Sequence, residues 1–166
     1  MNIEPTGQPG WGPADKPLVK NPVNVALDVP VYYCEDDGAF TQNETIFCGR
    51  AFADTVLIEC NKILQANNFA LAHLGFYYPR KARRKDGSII KPERWSNHSF
   101  GEAVDFKGVI TEGGEGEFLG IEAMKEQCPD KLQALVQACQ TAIKAINRNA
   151  EIVDEGEWYH IGLWPA

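Results

Sequence analysis

The sequence lacks both the cysteine spacing of thiolate metal sites and the long apolar runs of membrane spans. Its five cysteines are an odd number and include no Cys-x-x-Cys pair, which argues against a zinc finger or a thioredoxin-type redox site. A disulfide between Cys34 and Cys48 stays an open alternative, but buried free thiols are the favoured interpretation for most of the cysteines. No hydrophobic run approaches the roughly 20 residues that a bilayer-spanning helix needs, so we expect no membrane span.

The N-terminus also lacks the features of a secretory signal. Residues 1–7 contain neither a basic start nor an apolar stretch, so we expect no signal peptide. This expectation leaves open whether the protein stays in the cytoplasm, leaves the cell by lysis or another route, or had a leader that was removed.

The sequence has no positive net charge that would favour nucleic acid as a partner. The formal net charge is −7, so we expect no nucleic-acid binding. Basic residues are nevertheless concentrated in one segment, residues 80–94, which we call the basic loop. They are Arg80, Lys81, Arg83, Arg84, Lys85, Lys91 and Arg94. The basic loop is either a solvated surface loop or the positive rim of a site that takes an anionic substrate.

The length of 166 residues is that of one domain with a hydrophobic core. Five prolines and three glycines in residues 1–22 predict an extended N-terminal arm, ordered only if it packs on the body. Residues 23–166 are predicted to form a single domain, and we expect a monomer.

Apolar spacing predicts the elements in the first half of that domain. A period-two pattern at residues 23–33 predicts a strand. Helical spacing then predicts a helix that begins with Asn43 as its N-cap and ends near Asn67. A further strand is predicted at residues 69–78, before the basic loop.

The second half adds a short strand at residues 103–106 and a helix that begins at Pro129, a residue favoured at the first helical position. Residues 151–153 and 158–163 are predicted to form a closing hairpin. The order β-α-β-β-α-β-β indicates an α+β fold in which helices pack on a small, mostly antiparallel sheet.

Two histidines and two carboxylates stand at spacings that suit a metal site. His98 and Asp105 are seven positions apart, and Glu157 precedes His160 by three positions. Two imidazoles and one carboxylate can hold zinc as three protein ligands and leave one position open, while the spare carboxylate serves as a base. The helical His-Glu-x-x-His arrangement is absent from the sequence.

The ligands must therefore come from separate elements: His98 from a loop, Asp105 from the strand after it, and His160 from a distant strand. Gly101 tolerates the backbone angles of the turn that this requires, and Ala103 is small enough to lie beneath a metal. On an extended segment, the offset of three would place Glu157 and His160 on opposite faces. A turn at Gly156 and Glu157 would be needed to bring the carboxylate to the site.

The alternative interpretation is that scattered polar residues merely look like ligands. A lone histidine is usually a satisfied polar side chain, and His73, which matches no motif, is interpreted as a structural or surface residue. The pattern Ser-x-His-x-x-Gly-x-Ala-x-Asp, however, fixes five residue types at once. With average residue usage it should arise by chance in about one in ten thousand chains of this length.

The segments Ser96–Asp105 and Glu157–His160 resemble the two signature motifs of the D-alanyl-D-alanine metallopeptidases. That family includes zinc D,D-carboxypeptidases, D,D-dipeptidases and phage L-alanyl-D-glutamate endolysins, and it is related to lysostaphin and to the hedgehog signalling domain. The resemblance covers roughly residues 70–164. It implies a hedgehog-like fold and a peptidoglycan stem peptide as substrate.

The resemblance also implies roles for individual residues. His98, Asp105 and His160 would hold one zinc ion per chain, and Glu157 would be the general base. The family places an arginine on the strand before the first ligand, where it binds the substrate or steadies the tetrahedral intermediate.

Arg80 matches that position, although Pro79 interrupts the usual run, and Arg83, Arg84 and Arg94 remain rivals. Tyr78 beside Arg80 is a further candidate for substrate binding. Ser96 would bind the substrate, support His98 or simply shape the loop.

The implied activity is hydrolysis of an amide bond in the bacterial cell wall, either by a carboxypeptidase or by an endolysin-type endopeptidase. The alternative from another class is a non-catalytic, zinc-bearing binding or structural module on the same scaffold. The presence of Glu157 favours the peptidase, because a structural metal site needs no base.

Overall fold

The computed structural model describes residues 1–164 and shows an α+β fold. The strands are β1 (Asn2–Pro5), β2 (Gly10–Trp11), β3 (Val19–Lys20), β4 (Pro22–Ala26), β5 (Val31–Cys34), β6 (Phe40–Asn43), β7 (Ile46–Gly49), β8 (Ala70–Gly75), β9 (Ala103–Ile110), β10 (Phe118–Gly120), β11 (Ala150–Asp154) and β12 (Tyr159–Leu163). The helices are α1 (Arg50–Phe52), which continues through a π-helical turn (Ala53–Leu57) into α2 (Ile58–Ala66), then α3 (Ile121–Gln127) and α4 (Pro129–Ala145).

The main sheet runs in the order β11-β12-β9-β8-β5-β6, with β10 also paired to β9. Its neighbouring strands are antiparallel except for β5 and β8, which are parallel. The prediction of an α+β fold with a mostly antiparallel sheet is therefore confirmed. The predicted closing hairpin is present as β11 and β12, and β12 lies against β9.

Side-chain alternation gives β9 and β12 a core face and an opposite face. Val104, Phe106 and Ile161 are buried in a core that also contains apolar residues of α2 and α4. Burial of each such side chain contributes about 1.5–3 kcal/mol to stability. Because successive side chains of a strand point to opposite faces, Asp105 and His160 lie on the face away from this core.

The N-terminal arm packs on the body of the protein. Strand β1 pairs with β4, and β4 pairs with β7, to form a second, smaller sheet. The amino group of Met1 lies 2.6 Å from the carboxylate of Asp28. Residues 1–22 were expected to be ordered only if they pack on the body, and they do pack on it.

The helix predicted from Asn43 begins later than the spacing suggested. Ile46 and Cys48 are buried where β7 pairs with β4, so this segment is a strand and the predicted N-cap is wrong. The helical run begins at Arg50 and ends at Ala66, close to the predicted end. Pairing with a strand more than twenty residues earlier overrides the local helical spacing.

The strand predicted at residues 23–33 is two strands in different sheets, so its prediction as one element is wrong. The chain breaks around Pro30, which has no N–H for a strand ladder, and the backbone N–H of Asp28 donates to the side chain of Asn61. Strand β9 extends beyond the predicted residues 103–106, and α3 lies in a region for which no helix was predicted. Helix α4 begins at Pro129, as predicted.

All five cysteines are free thiols, so the Cys34–Cys48 disulfide is not formed. Four of them are buried and Cys128 is half-buried, which confirms the interpretation as buried thiols for most. Among residues 1–164, no helix has both the length and the apolar character needed to cross a membrane.

His73 is buried in β8, and its Nε2 lies 2.7 Å from Oδ1 of Asn43. Its structural interpretation is therefore confirmed, and its surface alternative is wrong. Burial lowers the pKa of His73 to about 4, against a partial opposing effect of the Asp105 charge. The folded protein thus holds this imidazole in its neutral form.

We expect acid to destabilise the protein through His73. Between the ordinary histidine pKa of 6.5 and the folded value of about 4, the unfolded chain binds a proton that the folded chain does not, so stability falls as pH falls through this window. The loss should approach about 3 kcal/mol at pH 4. Urea unfolding of the wild type and of His73→Gln at pH 7 and pH 4 measures it. The variant should lose less stability on acidification, and an equal loss in both proteins would show that His73 is not the cause.

Candidate metal centre

The structure brings His98, Asp105 and His160 together. One ligand atom from each lies within 4.8 Å of the others. Asp105 Oδ1 is 3.2 Å from His98 Nε2 and 3.2 Å from His160 Nδ1, so the carboxylate stands between the two rings. These three residues form a cluster that could hold a metal ion.

Strand pairing positions two members of this cluster. Asp105 on β9 and His160 on β12 are direct partners in the antiparallel register, so their side chains share one face of the sheet. The next pair on that face is Ala103 and Gly162, both small. An added Cβ at Gly162 would lie only 3.0 Å from the Ala103 side chain, so the sheet offers no room for larger residues beside the cluster.

A tight turn positions the third member. His98 lies in the 3-10 turn Asn97–Phe100, which Gly101 ends with a left-handed backbone at φ +66°. An added Cβ at Gly101 would approach the Val19 side chain to 2.9 Å. Glycine is therefore required both by conformation and by space, in agreement with the turn predicted between His98 and Asp105.

The protonation pattern of His98 is fixed by the backbone. Its Nδ1 lies 2.9 Å from the carbonyl oxygen of Phe76, which can only accept, so Nδ1 carries the hydrogen and donates it. Nε2, the ring nitrogen left free for a metal, then faces the cluster beside Asp105. The ring of Tyr78 packs edge-on against His98 at 5.0 Å between centroids and limits its rotation.

Charges in the cluster favour a bound cation. Burial raises the pKa of Asp105, but hydrogen bonds from His160 and His98 outweigh it and hold that pKa well below its usual range. Burial lowers the pKa of His160, but Asp105 and Glu151 outweigh it and raise that pKa to about 9. The carboxylates therefore hold a positive charge at His160 in the metal-free protein, and a metal ion would replace that proton.

The cluster lies in a cleft of about 520 Å³ whose wall is strongly cationic. The basic loop contributes Arg80, Arg83, Arg84, Lys85 and Arg94 to the lining. The basic loop therefore borders the cluster, as its interpretation as a positive rim requires. Lys85 Nζ also donates to the backbone oxygen of Glu155, which ties the loop to the turn between β11 and β12.

The substrate-binding candidates occupy different places. Arg80 is exposed, lines the cleft and stacks over the ring of Tyr78 at 4.8 Å. The hydroxyl of Tyr78 donates to the backbone oxygen of Leu74, and burial raises the pKa of Tyr78 to about 12. Tyr78 thus holds its neighbours Arg80 and His98 rather than offering a free hydroxyl.

Ser96 is buried at the edge of the cleft and has a structural contact there. Its Oγ lies 3.3 Å from Oγ of Ser99. The Ser99 hydroxyl accepts from the backbone N–H of Arg80 and lies within hydrogen-bonding distance of the carbonyl oxygens of Arg80 and Tyr78. The Ser96 N–H donates to the Arg80 oxygen. This network joins the start of the basic loop to the turn that carries His98.

The required turn before His160 is present, but Glu157 does not line the cleft. The N–H of Glu155 donates to the Trp158 oxygen at 2.9 Å, and Gly156 has φ +87°. Alternation puts Trp158, two residues before His160, on the cleft side, and Glu155 also lines it. Glu157 is exposed in this turn.

Glu151 is a carboxylate of the site that sequence reasoning did not single out. Its Oε1 lies 2.9 Å from His160 Nε2, and its Oε2 accepts from Arg94 Nη2 at 3.1 Å. Burial raises the pKa of Glu151, but His160 and Arg94 outweigh it and lower that pKa. The hairpin register was the available signal, because it puts Glu151 and His160 on one face.

Comparisons of the chain with protein-family models, with curated proteins and with solved structures found no match. The features of this chain that point to a function are the geometry of the cluster, the cationic cleft and the two sequence motifs.

Proposed function

We propose that the protein is a zinc metallopeptidase that hydrolyses an amide bond in bacterial peptidoglycan stem peptides. The observation that carries the proposal is the convergence of His98, Asp105 and His160 on the wall of a cationic cleft. The motif resemblance supplies the substrate class, and the α+β fold with its antiparallel sheet is compatible with a hedgehog-like scaffold.

The donor set fits zinc better than the hard cations. Two imidazole nitrogens and one carboxylate oxygen are ligands that zinc accepts, whereas calcium and magnesium favour sites built mainly of oxygen. The backbone contact at Nδ1 leaves Nε2 of His98 as the nitrogen that would coordinate the ion. Three protein ligands leave a position open, as in catalytic rather than structural zinc sites.

A bound zinc ion would supply Lewis acidity, which polarises a carbonyl and makes water a better nucleophile at neutral pH. The chain's own residues would do the rest. Arg80 would orient the substrate and stabilise negative charge that develops on the scissile carbonyl. Glu157 would take a proton from the attacking water and deliver it to the leaving amine. This assignment requires the Glu155–Trp158 turn to bring the Glu157 carboxylate into the cleft.

Stem peptides carry carboxylates, and the basic loop would attract them. We expect the double variant Arg83→Gln and Arg84→Gln to raise KM roughly two- to thirty-fold, because each exposed charge contributes about 0.2–1 kcal/mol. Salt should also inhibit the variant less than the wild type. Steady-state rates at several salt concentrations measure both effects.

A matched control removes two lysines from helices on the other side of the sheet, Lys62→Gln and Lys144→Gln, and so changes the net charge equally. It should leave KM unchanged. If both double variants behave alike, net charge rather than the basic loop attracts the substrate.

The direct test is digestion of purified peptidoglycan by the zinc-loaded protein, with the new termini identified by mass spectrometry. Release of a terminal D-alanine would identify a carboxypeptidase, and cleavage within the stem would identify an endopeptidase. Absence of cleavage of both peptidoglycan and D-alanyl peptides by zinc-loaded protein would refute the proposed activity.

The second candidate function is a non-catalytic, zinc-bearing binding module. The exposed position of Glu157 favours it, because no base lies beside the cluster at that residue. Zinc binding without any hydrolysis in the digestion experiment would establish this alternative.

A further inference from the structure

The two histidines of the cluster are held in different ways. His98 is held by a backbone carbonyl, that of Phe76. His160 has no such backbone partner at Nε2, the ring nitrogen turned away from Asp105. The group nearest to that nitrogen is the carboxylate of Glu151, at 2.9 Å, in a contact not aligned as a full hydrogen bond.

The hairpin register explains how Glu151 reaches the ring. Val153 stands opposite His160, and Glu151 stands opposite Gly162, so Glu151 and His160 are diagonal neighbours on one face. Gly162 has no side chain to fill the space between them. A long side chain is needed to span this diagonal, and glutamate provides it.

Glu151 is itself held from its other side. Arg94 donates from Nη2 to Oε2, and the Arg94 guanidinium stacks over the ring of Trp164 at 4.6 Å. The Glu151 side chain is only 15% exposed. A nearly buried carboxylate with one oxygen on an arginine and the other against a ligand imidazole has little freedom to move.

We propose that Glu151, anchored by Arg94, is a positioning residue that sets the ring of His160 so that Nδ1 faces the metal. The inference rests on the proposed metal site, and it assigns to this carboxylate a role in metal affinity rather than in the hydrolytic step. Partners of this kind hold a ligand imidazole in one tautomer and orientation, and their loss typically lowers metal affinity 10–100-fold.

Two variants separate positioning from simple charge. Glu151→Asp keeps the negative charge but shortens the side chain by one methylene, so it cannot hold Arg94 and reach His160 together. Arg94→Gln removes a positive charge near the metal but also removes the anchor of Glu151. Positioning predicts weaker zinc binding in both variants, about 10–100-fold for Glu151→Asp. A role of charge alone predicts unchanged affinity in Glu151→Asp and tighter binding in Arg94→Gln.

The chain offers a matched control pair. Glu102 and Arg148 form an ion pair of similar burial, with contacts of 3.1 and 3.2 Å, and neither side chain forms a hydrogen bond or an ion pair with a ligand of the cluster. Glu102→Asp and Arg148→Gln should therefore leave zinc affinity unchanged. The thermal melting of all four metal-free variants reports any general loss of stability.

Zinc affinity is measured by competition with a chromophoric chelator, first on the wild type. Weaker binding in both Glu151→Asp and Arg94→Gln, with unchanged affinity in the control pair, supports the inference. Wild-type affinity in Glu151→Asp, or tighter binding in Arg94→Gln, overturns it and leaves the metal site standing. Equal weakening in the control pair also overturns it, because the effect would then be structural. Absence of zinc binding by the wild type would refute the metal site itself, and the inference with it.

Discussion

Replacement of His98 by alanine is expected to remove the metal ion from the protein. His98 supplies one of three ligand atoms, and its Nε2 is 3.2 Å from the Asp105 oxygen that would share the ion. The remaining carboxylate and imidazole would be two ligands, fewer than the three that an open zinc site uses. Elemental analysis after dialysis should find close to one zinc per chain in the wild type and almost none in the variant.

His73→Ala is the matched control for this loss. His73 is also a buried histidine on the main sheet, but it contacts Asn43 and lies outside the cluster. Its removal should lower stability and leave zinc content unchanged. Full zinc occupancy in His98→Ala, or equal loss in both variants, would contradict the assignment of the ligands.

The spacing of residues in the sequence was sufficient to predict the part of this site that lies within one short segment. The pattern from Ser96 to Asp105 already contains the turn at Gly101, because a left-handed residue between a loop ligand and a strand ligand must be glycine or strained. The histidine near the C-terminus was placed by motif resemblance alone. That His160 stands directly opposite Asp105 depends on the pairing of β12 with β9, which lie some fifty residues apart and whose register no local pattern contains.

Long-range pairing also explains where the predicted elements differ from the fold. Residues 46–49 carry helical spacing with the residues that follow, yet they pair with β4 and become a strand. The first predicted strand divides because its two halves find partners in different sheets. Helix α4, by contrast, was predictable because a proline start and a regular apolar stripe are local signals.

The two carboxylates of the β11–β12 turn show the limit of motif reasoning most clearly. The motif assigns the base to Glu157, while the geometry puts Glu155 in the lining of the cleft and Glu157 in solvent. Side chains of a strand alternate between its two faces, so a residue at an odd offset from His160 is expected to point away from the face that carries the ligands. The two glutamates therefore make opposite predictions for one experiment.

Glu157→Gln is expected to leave zinc content and folding intact and to abolish most of the turnover. Glutamine keeps the shape of the side chain but cannot accept a proton from the attacking water. Loss of a general base typically lowers the rate 10²–10⁴-fold. The kcat of zinc-loaded protein on purified peptidoglycan peptides measures the effect, and metal analysis and thermal melting verify that the variant is otherwise intact.

Glu155→Gln is the matched control, because it makes the same chemical change two residues away on the same turn. If Glu157 is the base, the turn must move its carboxylate into the cleft during the reaction, and Glu155→Gln should keep a rate near that of the wild type. The reverse result, a large loss in Glu155→Gln with an active Glu157→Gln, would transfer the role to the residue that lines the cleft. Wild-type rates in both variants would mean that neither glutamate moves the proton, and the mechanism proposed for this site would be wrong.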